Sequence, residues 1–247
     1  MLRGIVSGIT AMRAQVTNQE VIANNLANAD TAAFNKDKTV FSSFNDVFTM
    51  MFRGTAHPQG LGSMSSGSVV QDIKTIRTVG PIENTGEAMD VALPGGLYFS
   101  VQTASGTRYT RRGDFEMDAD GYLTLGGYRV LGEGGPIQIG EYRTRAVRED
   151  GAFIGDGEVV DIIRTFRFDD ESLLEKEGTS LFDPRGAQPE LVEAPILLTR
   201  ALEKSSVDPV SEMVSLIYAM RAYEAAQKAI QSSDETLGMA VERVGRV

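Results

Sequence analysis

The sequence predicts an α+β protein in which long N- and C-terminal helices are paired as a coiled-coil-like domain and the residues between them form a central antiparallel β-rich domain. At both ends of the 247-residue chain, apolar residues recur in steps of three and four. This spacing keeps one stripe of a helix facing one side over many turns. Between the ends, short strand-like runs alternate with turn dipeptides such as Asp120-Gly121 and Gly126-Gly127, which are typical of β-hairpins.

The first predicted helix covers residues 2–28. Asn24, Asn25, Asn28 and Asp30 mark its end, because these residues compete for backbone hydrogen bonds and tolerate left-handed turns. A column of small residues, Gly4, Gly8 and Ala11, lies beside its recurring stripe and lets another backbone come close. The N-terminal stripe is Leu2, Ile5, Ile9, Met12, Val16, Gln19, Ala23 and Leu26.

The middle of the chain is predicted to contain an extended arm and then hairpins. Residues 37–80 form the arm, which includes a Gly- and Ser-rich stretch at 54–68. Residues 81–204 form the β-rich domain, as an antiparallel sheet or a small barrel, because turn signals at such short intervals disfavour a parallel sheet. A short helix is expected over 170–177.

The last predicted helix begins at Asp208, which acts as N-cap with Pro209 at the first helical position, and ends near Arg243. Beside its stripe runs a column of small residues, which predicts that the helix has more than one partner. With 1–36, residues 205–247 form the predicted terminal helical domain. The C-terminal stripe is Met213, Leu216, Met220, Tyr223, Gln227, Ile230, Asp234, Leu237, Val241 and Val244.

Composition excludes several classes of protein. The net charge is −10; residues 1–36 carry three basic and two acidic groups and residues 205–247 four and six, which leaves −9 for the middle. An acidic body argues against nucleic acid as partner. The chain has no Cys, hence no disulfide and no thiolate metal site. The sequence contains no run of 18 apolar residues, so no membrane-spanning helix is predicted. The N-terminus lacks the features of a cleaved signal peptide.

No catalytic, cofactor-binding or metal-binding residue is predicted. His57 is the only histidine, so it has no partner for a metal site or a catalytic triad. Glycines 132, 134 and 135 resemble a phosphate-binding loop without its lysine or helix. Asp118 and Asp120 resemble the start of a calcium loop that lacks its final Glu. Arg112-Gly113-Asp114 matches a tripeptide read by some cell-surface receptors, although a hairpin also explains it.

Both ends of the chain match a known pattern. The segments Val21–Thr31 and Ser205–Glu224, with Phe34 and Lys36, resemble the signatures of the bacterial flagellar basal-body rod and hook proteins. Shorter matches at 90–93, 96–101, 108–111 and 118–121 connect them in the same order. Residues 130–137 are similar to the proximal rod proteins of the F type, and the length also fits the distal rod proteins of the G type. The signature residues are Asn24, Asn25, Leu26, Ala27, Asn28, Phe34, Asp208, Arg221, Ala222, Tyr223 and Glu224.

Two positions depart from the family pattern. Ala33 stands where the family usually has Gly, and Ser206 stands where Asn is usual. The turns at these two positions are therefore expected to differ locally.

The resemblance implies a non-enzymatic structural subunit of the periplasmic rod, with no cofactor, that is exported unfolded through the flagellum's own type III apparatus. The terminal helices would form an inner domain that packs against copies of the chain and other rod proteins. The β-rich domain would face outward, toward the bushing rings or the periplasm. We predict the subunit interface on both stripes, without Gln19, Ala23, Asp234 and Val244.

Two alternatives remain at this stage. The polar stripe residues Gln19, Gln227 and Asp234 either fix the register of assembly or lie on a solvated face. The alternatives to a rod subunit are an adhesin or fibre protein whose β-rich domain binds a target and, with less support, a glycosidase with paired carboxylates.

Overall fold

The computed structural model describes residues 2–43, 67–140, 142–193 and 195–244. The chain folds into two compact units. The terminal unit consists of Met1–Ala27, Asp37–Ile76 and Asp208–Val247, and the central unit consists of Asn28–Lys36 and Arg77–Val207. The domain boundaries predicted from the sequence stay a prediction.

The terminal unit contains two long helices and a β-hairpin. Helix α1 spans Leu2–Ala27 and helix α2 spans Pro209–Val244. Strand β1 (Asp37–Ser43) pairs antiparallel with β2 (Ser68–Thr75), with a bulge at Val40 and Phe41. Residues 44–66, which hold most of the Gly- and Ser-rich stretch, lie outside the described residues.

Local chemistry explains where α2 begins. The Asp208 side chain accepts a hydrogen bond from the Val210 N–H at 3.2 Å, and its carbonyl accepts the first helical bond from Glu212 N–H at 3.0 Å. The predicted N-cap is thus confirmed. Within the described residues, neither helix is long and apolar enough to cross a membrane.

The central unit is built from short strands, and together with the terminal helices it confirms the α+β class. The strands are β3 (Ile82–Asn84), β4 (Val91–Ala92), β5 (Leu97–Thr103), β6 (Gly106–Thr110), β7 (Phe115–Met117), β8 (Leu123–Leu125), β9 (Tyr128–Gly132), β10 (Gly135–Pro136), β11 (Arg145–Val147), β12 (Ala152–Gly155), β13 (Glu158–Ile162), β14 (Thr165–Phe168), β15 (Glu175–Glu177), β16 (Leu181–Asp183), β17 (Pro189–Val192), β18 (Leu198–Thr199) and β19 (Ala201–Glu203).

The largest sheet runs in the order β15-β16-β6-β5-β9-β8-β7, with β10 paired to β9 and with β14 between β5 and β17. Smaller sheets are β11-β12-β13, β18-β4 and β19-β3. Every strand pair described here is antiparallel. Strand β5 has apolar cores on both faces: Leu97, Phe99 and Val101 belong to the larger core, and Tyr98 belongs to an aromatic cluster with Phe168 and Phe182.

The expected helix over 170–177 does not form. Only Glu171–Leu173 makes a 3₁₀ turn, capped by the Asp170 side chain, and the chain then enters β15, whose residues pair with β16. Pairing with an existing sheet and burial of Leu174 outweigh the local helix preference of the segment.

The central unit contains a buried ion pair between Arg111 and Glu203. The Arg111 guanidinium donates to Glu203 Oε2 at 2.8 and 3.0 Å and to the carbonyls of Leu97 and Leu93. Glu203 Oε1 accepts from the Gly80 N–H at 3.0 Å. The two side chains are 5% and 2% exposed. Because the polar atoms of both charges find partners, the pair is tolerated at this depth.

The two family departures lie where the Asn28–Lys36 segment joins the strands near residue 203. Ala33 has a left-handed backbone, φ 51°, and its N–H donates to the Glu203 carbonyl at 2.8 Å. The Ser206 hydroxyl accepts from the Lys36 N–H at 3.1 Å. Ala33 therefore adopts the conformation for which glycine is the usual residue, and a serine oxygen provides the acceptor at position 206.

Candidate subunit interface

Helices α1 and α2 contact each other in an antiparallel arrangement. Near one end, a Cβ placed on Gly8 would lie 2.5 Å from Ile230 Cγ1, and near the other, Asn25 Nδ2 lies 3.4 Å from Glu212 Oε2. The absence of a side chain at Gly8 therefore allows the close approach that the small-residue columns predict. Pairing as a coiled coil stays a prediction.

The covered stripe of α2 runs between the predicted stripe and its column of small residues. Its members are buried or half-buried and follow one another in steps of three and four: Glu212, Leu216, Ala219, Tyr223, Ala226, Ile230, Ser233 and Leu237. Of the predicted interface residues, Leu216, Tyr223, Ile230 and Leu237 belong to it, whereas Met213, Met220, Gln227 and Val241 are exposed.

Helix α1 shows the same division. Ile5, Met12 and Leu26 are half-buried, Ile9 and Val16 are exposed, and the side chain of Leu2 lies outside the described residues. The buried residues are Ala14, Val21, Ile22 and Asn25. Helix α1 also contacts the β1–β2 hairpin, so its covered surface is wider than one stripe.

Every second described residue of each predicted stripe thus faces solvent in the single chain, and the reason is geometric. Small side chains at 219, 226 and 233 let α1 approach α2, and this turns the alternate large residues outward. The sequence reasoning missed Glu212, Val21 and Ile22 as covered positions, whereas Ala219 belongs to the predicted column of small residues. Glu212 lies four residues before Leu216, and this spacing was the one available signal for it.

An apolar surface is exposed on the first turns of α2. Val210 and Tyr218 are each 68% exposed, and their apolar neighbours on the helix are 46–51% exposed. We call this surface the α2 face; it comprises Val210, Met213, Val214, Ile217, Tyr218 and Met220. Contiguous apolar surfaces of this kind are often sites of interaction.

Some of the signature residues are buried and hold local structure, and others are exposed. Phe34 is buried beneath the Lys176 ammonium, which lies 3.9 Å from its ring centre and donates to the Asn35 carbonyl at 2.7 Å. Asn25 is 1% exposed, and Leu26, Asn28 and Tyr223 are half-buried. The exposed members are Asn24, Ala27, Asp208, Arg221, Ala222 and Glu224.

In the tripeptide Arg112-Gly113-Asp114, the two charged side chains bond each other. Arg112 donates to both carboxylate oxygens of Asp114 at 2.5 Å. A Cβ on Gly113 would lie 1.6 Å from the Val91 carbonyl oxygen, so a tight backbone contact explains this glycine. The two charges neutralise each other, and this geometry does not present them to a receptor.

The segment that resembles the start of a calcium-binding loop is a turn. Asp118 Oδ1 accepts from the N–H groups of Tyr122 at 2.8 Å and Asp120 at 2.9 Å, while Arg129 pairs with both carboxylates. These hydrogen bonds, that of Tyr122 first, hold the pKa of Asp118 below its ordinary value. The guanidinium occupies the place where a cation would bind. Among the described residues, no group of acidic or histidine side chains could hold a metal ion.

The glycine loop carries an acidic neighbour. The Glu133 N–H donates to Asp161 Oδ1 at 3.2 Å, and a Cβ on Gly132 would lie 2.5 Å from Asp161 Oδ2. A carboxylate at this position disfavours phosphate. His57 lies outside the described residues.

Three family models match separate parts of the chain. Residues 5–34 match the family model described as "Flagella basal body rod protein", residues 92–155 the "Flagellar hook protein FlgE/F/G D1 domain", and residues 198–243 the "Flagellar basal body rod FlgEFG protein C-terminal".

Relatives align over almost the whole chain. The flagellar basal-body rod protein FlgG of Bacillus subtilis is 33% identical, over 96% of this chain and 97% of its own length. FlgF of Caulobacter vibrioides is 32% identical over 92% of each chain, and FlgF of Rhizobium meliloti is 30% identical over 99% of each. Because three family models match it at both ends and in the middle and these relatives cover almost its whole length, this chain belongs to the flagellar basal-body rod protein family, among the proteins of the F and G types.

Proposed function

We propose that this chain is the F-type subunit of the proximal rod, and that it polymerises through α1 and α2 into the axial shaft that transmits torque from motor to hook. The α2 face is the observation that carries this proposal, because six apolar side chains exposed in one chain need a partner. The same argument applies to Ile9 and Val16 on α1, which are 54% and 40% exposed.

Association of this kind is heterologous. The covered stripe joins α1 and α2 within one chain as a coiled-coil-like pair, and the exposed parts of both stripes are left for neighbouring subunits. A contact between different faces of identical chains produces a helical filament when its rotation does not close a ring. The partners are therefore copies of this chain and the adjoining rod proteins.

The distal rod subunit of the G type is the second candidate. Relatives of both types match at similar identity, 33% for FlgG of B. subtilis and 32% for FlgF of C. vibrioides. The similarity of residues 130–137 to F-type proteins favours the proximal rod. The two candidates share the assembly surface and differ in axial position.

The remaining proposals follow from membership of the family. Residues 1–36 and 205–247 form the inner domain, 37–80 the arm, and 81–204 the outer domain facing the bushing rings or the periplasm. The chain leaves the cytoplasm through the flagellar type III apparatus without a cleaved signal peptide, and it is not an enzyme. A secretion assay tests the route: the chain should stay inside the cell when the flagellar export gate is deleted.

The assembly surface can be tested by paired substitutions at two exposed isoleucines. Ile217→Asp places a charge on the α2 face, and Ile196→Asp makes the same change at a residue of the central unit that is 75% exposed. Both purified variants should keep the native helix and strand content, as judged by circular dichroism. In a strain lacking the native gene, Ile217→Asp should fail to enter isolated basal bodies and abolish motility, while Ile196→Asp should assemble.

Normal incorporation of Ile217→Asp would contradict the assignment of the α2 face. Loss of assembly in both variants would contradict the restriction of the interface to the terminal helices.

A further inference from the structure

A chain of polar contacts crosses the terminal unit from α2 through α1 to the hairpin. Asn25 Nδ2 lies 3.4 Å from Glu212 Oε2 on α2. The same amide bonds Asp37, the first residue of β1, and Asp37 Oδ1 accepts from Thr75 Oγ1 on β2 at 2.7 Å. Asn25 and Glu212 are 1% and 8% exposed, so their contact is shielded from water.

The Asn25 side chain pairs with Asp37 as a strand would. Its Oδ1 accepts from the Asp37 N–H at 2.9 Å, and its Nδ2 donates to the Asp37 carbonyl at 2.8 Å. These two hydrogen bonds together fix the orientation of the amide. The remaining Nδ2 proton is then directed toward Glu212, which makes the three elements geometrically dependent on one another.

The apolar stripes cannot specify the register of the helices by themselves. On α2, small side chains recur at 219, 226 and 233, and large ones recur at 223, 230 and 237. A slip of one heptad, about 10 Å along the axis, would replace each contact by a similar one. Asn25 would then lie opposite Ala219 in place of Glu212, and a buried amide facing a methyl group is costly.

We propose that Asn25 fixes the register of α1 against α2 and against the β1–β2 hairpin. A single buried polar residue has this effect in coiled coils, where it sets alignment at some expense of stability. Gln227 and Asp234 are exposed in the single chain, so they do not set this register within the chain, and their suggested role in assembly stays a prediction. The proposal concerns the single chain and does not depend on the rod assignment.

Cysteine cross-linking of the full-length monomer measures the register directly, because the chain has no native Cys. Gly8→Cys with Ile230→Cys reports the observed register. Gly8→Cys with Tyr223→Cys, or with Leu237→Cys, reports a slip of one heptad in either direction; both of these variants also carry Ile230→Ala, because a Cβ at position 8 would lie 2.5 Å from Ile230 Cγ1. The yield of each disulfide after mild oxidation is read by mass spectrometry.

In the native background, the pair at 8 and 230 should dominate. In Asn25→Leu its yield should fall about fivefold or more, and a slipped pair should gain. The matched control is Asn18→Leu, the same change one heptad earlier at a half-buried position, which should leave the yields unchanged. An unchanged yield at 8 and 230 in Asn25→Leu, or an equal fall in Asn18→Leu, would overturn the proposal.

A second set of variants decides the matter if Asn25→Leu does not fold. Asn25→Asp removes the donor to Asp37 and faces one carboxylate with another, so it should lower the yield at 8 and 230. Adding Glu212→Gln supplies a new amide donor and should restore most of that yield. Failure of Asn25→Asp to change the register, or failure of Glu212→Gln to restore it, would contradict the role of Asn25.

Discussion

Ala33 and Asp156 hold left-handed backbone conformations, φ 51° and 50°, that side chains disfavour. Each is retained by hydrogen bonds: the Ala33 N–H bonds Glu203, and the Asp156 carboxylate bonds the segment at 143–144. The sequence marked Ala33 as a departure from a family glycine, and its φ angle explains the family preference. The dipeptide Asp156-Gly157 signals the left-handed conformation of Asp156, because Asp-Gly favours hairpin turns in which both central residues have positive φ.

Ala33→Gly should leave the free energy of unfolding unchanged or raise it by up to about 1 kcal/mol, because glycine adopts positive φ without strain. The control is Ala152→Gly, at a buried strand position of the same unit, which should lower it by about 1 kcal/mol. Urea unfolding measures both. A loss in Ala33→Gly equal to that in Ala152→Gly would contradict the strain argument.

Asp156 predicts a pH dependence. The N–H and hydroxyl of Thr144 and the Arg143 N–H bond its carboxylate and hold its pKa below the ordinary value of 3.8. Since the pKa of the folded state is lower than that of the unfolded state, the stabilisation is complete above 3.8 and is lost as the pH falls through the folded-state pKa.

Asp156→Asn should therefore be less stable than the native chain at neutral pH, and the difference should shrink in acid. Asparagine tolerates the same backbone conformation, which isolates the charge. Unfolding by urea at several pH values gives the difference, with exposed Asp169→Asn as control, expected within about 0.5 kcal/mol of the native chain. A difference that does not change with pH would refute the linkage.

At the scale of elements, the sequence predicted the two helices within a residue or two because their periodicity and the Asp208 cap are local signals. It did not predict which face of each helix is covered. Two neighbouring columns, one large and one small, satisfy the same period, and the choice depends on how closely the partner helix approaches. The prediction of a helix over 170–177 was wrong for a related reason, because the pairing of β15 with β16 is a contact that local sequence signals do not show.

The close approach at Gly8 can be tested by exchanging sizes across the helix pair. Gly8→Leu should clash with Ile230 and cost about 1–3 kcal/mol, which should speed amide exchange in α1 about tenfold or more. Adding Ile230→Ala should slow the exchange again. Gly238→Leu is the control, because no atom lies within 4 Å of a Cβ at this position.

Unchanged exchange in Gly8→Leu would show that the helices do not depend on this contact. The same acceleration in Gly238→Leu would indicate an effect of helix substitution in general rather than of packing.

At the scale of the whole molecule, the two units differ in surface chemistry. The terminal unit exposes the apolar α2 face, whereas the acidic charge of the chain is concentrated in the middle of the sequence, −9 of the total −10. The sequence predicted this contrast, since charge and composition are additive. It could not predict which apolar residues remain exposed, because that follows from the fold of the single chain.

The most direct test of the account is cryo-electron microscopy of isolated basal bodies that contain this chain with a tag inserted in the exposed turn at Gly126 and Gly127. The account predicts tag density repeated helically along the rod, with α1 and α2 on the inner side and the tagged turn outside. Density at the proximal end supports the F type, and density at the distal end supports the G type. Tag density outside the rod, or none in motile cells, would contradict the claim that this chain is a rod subunit.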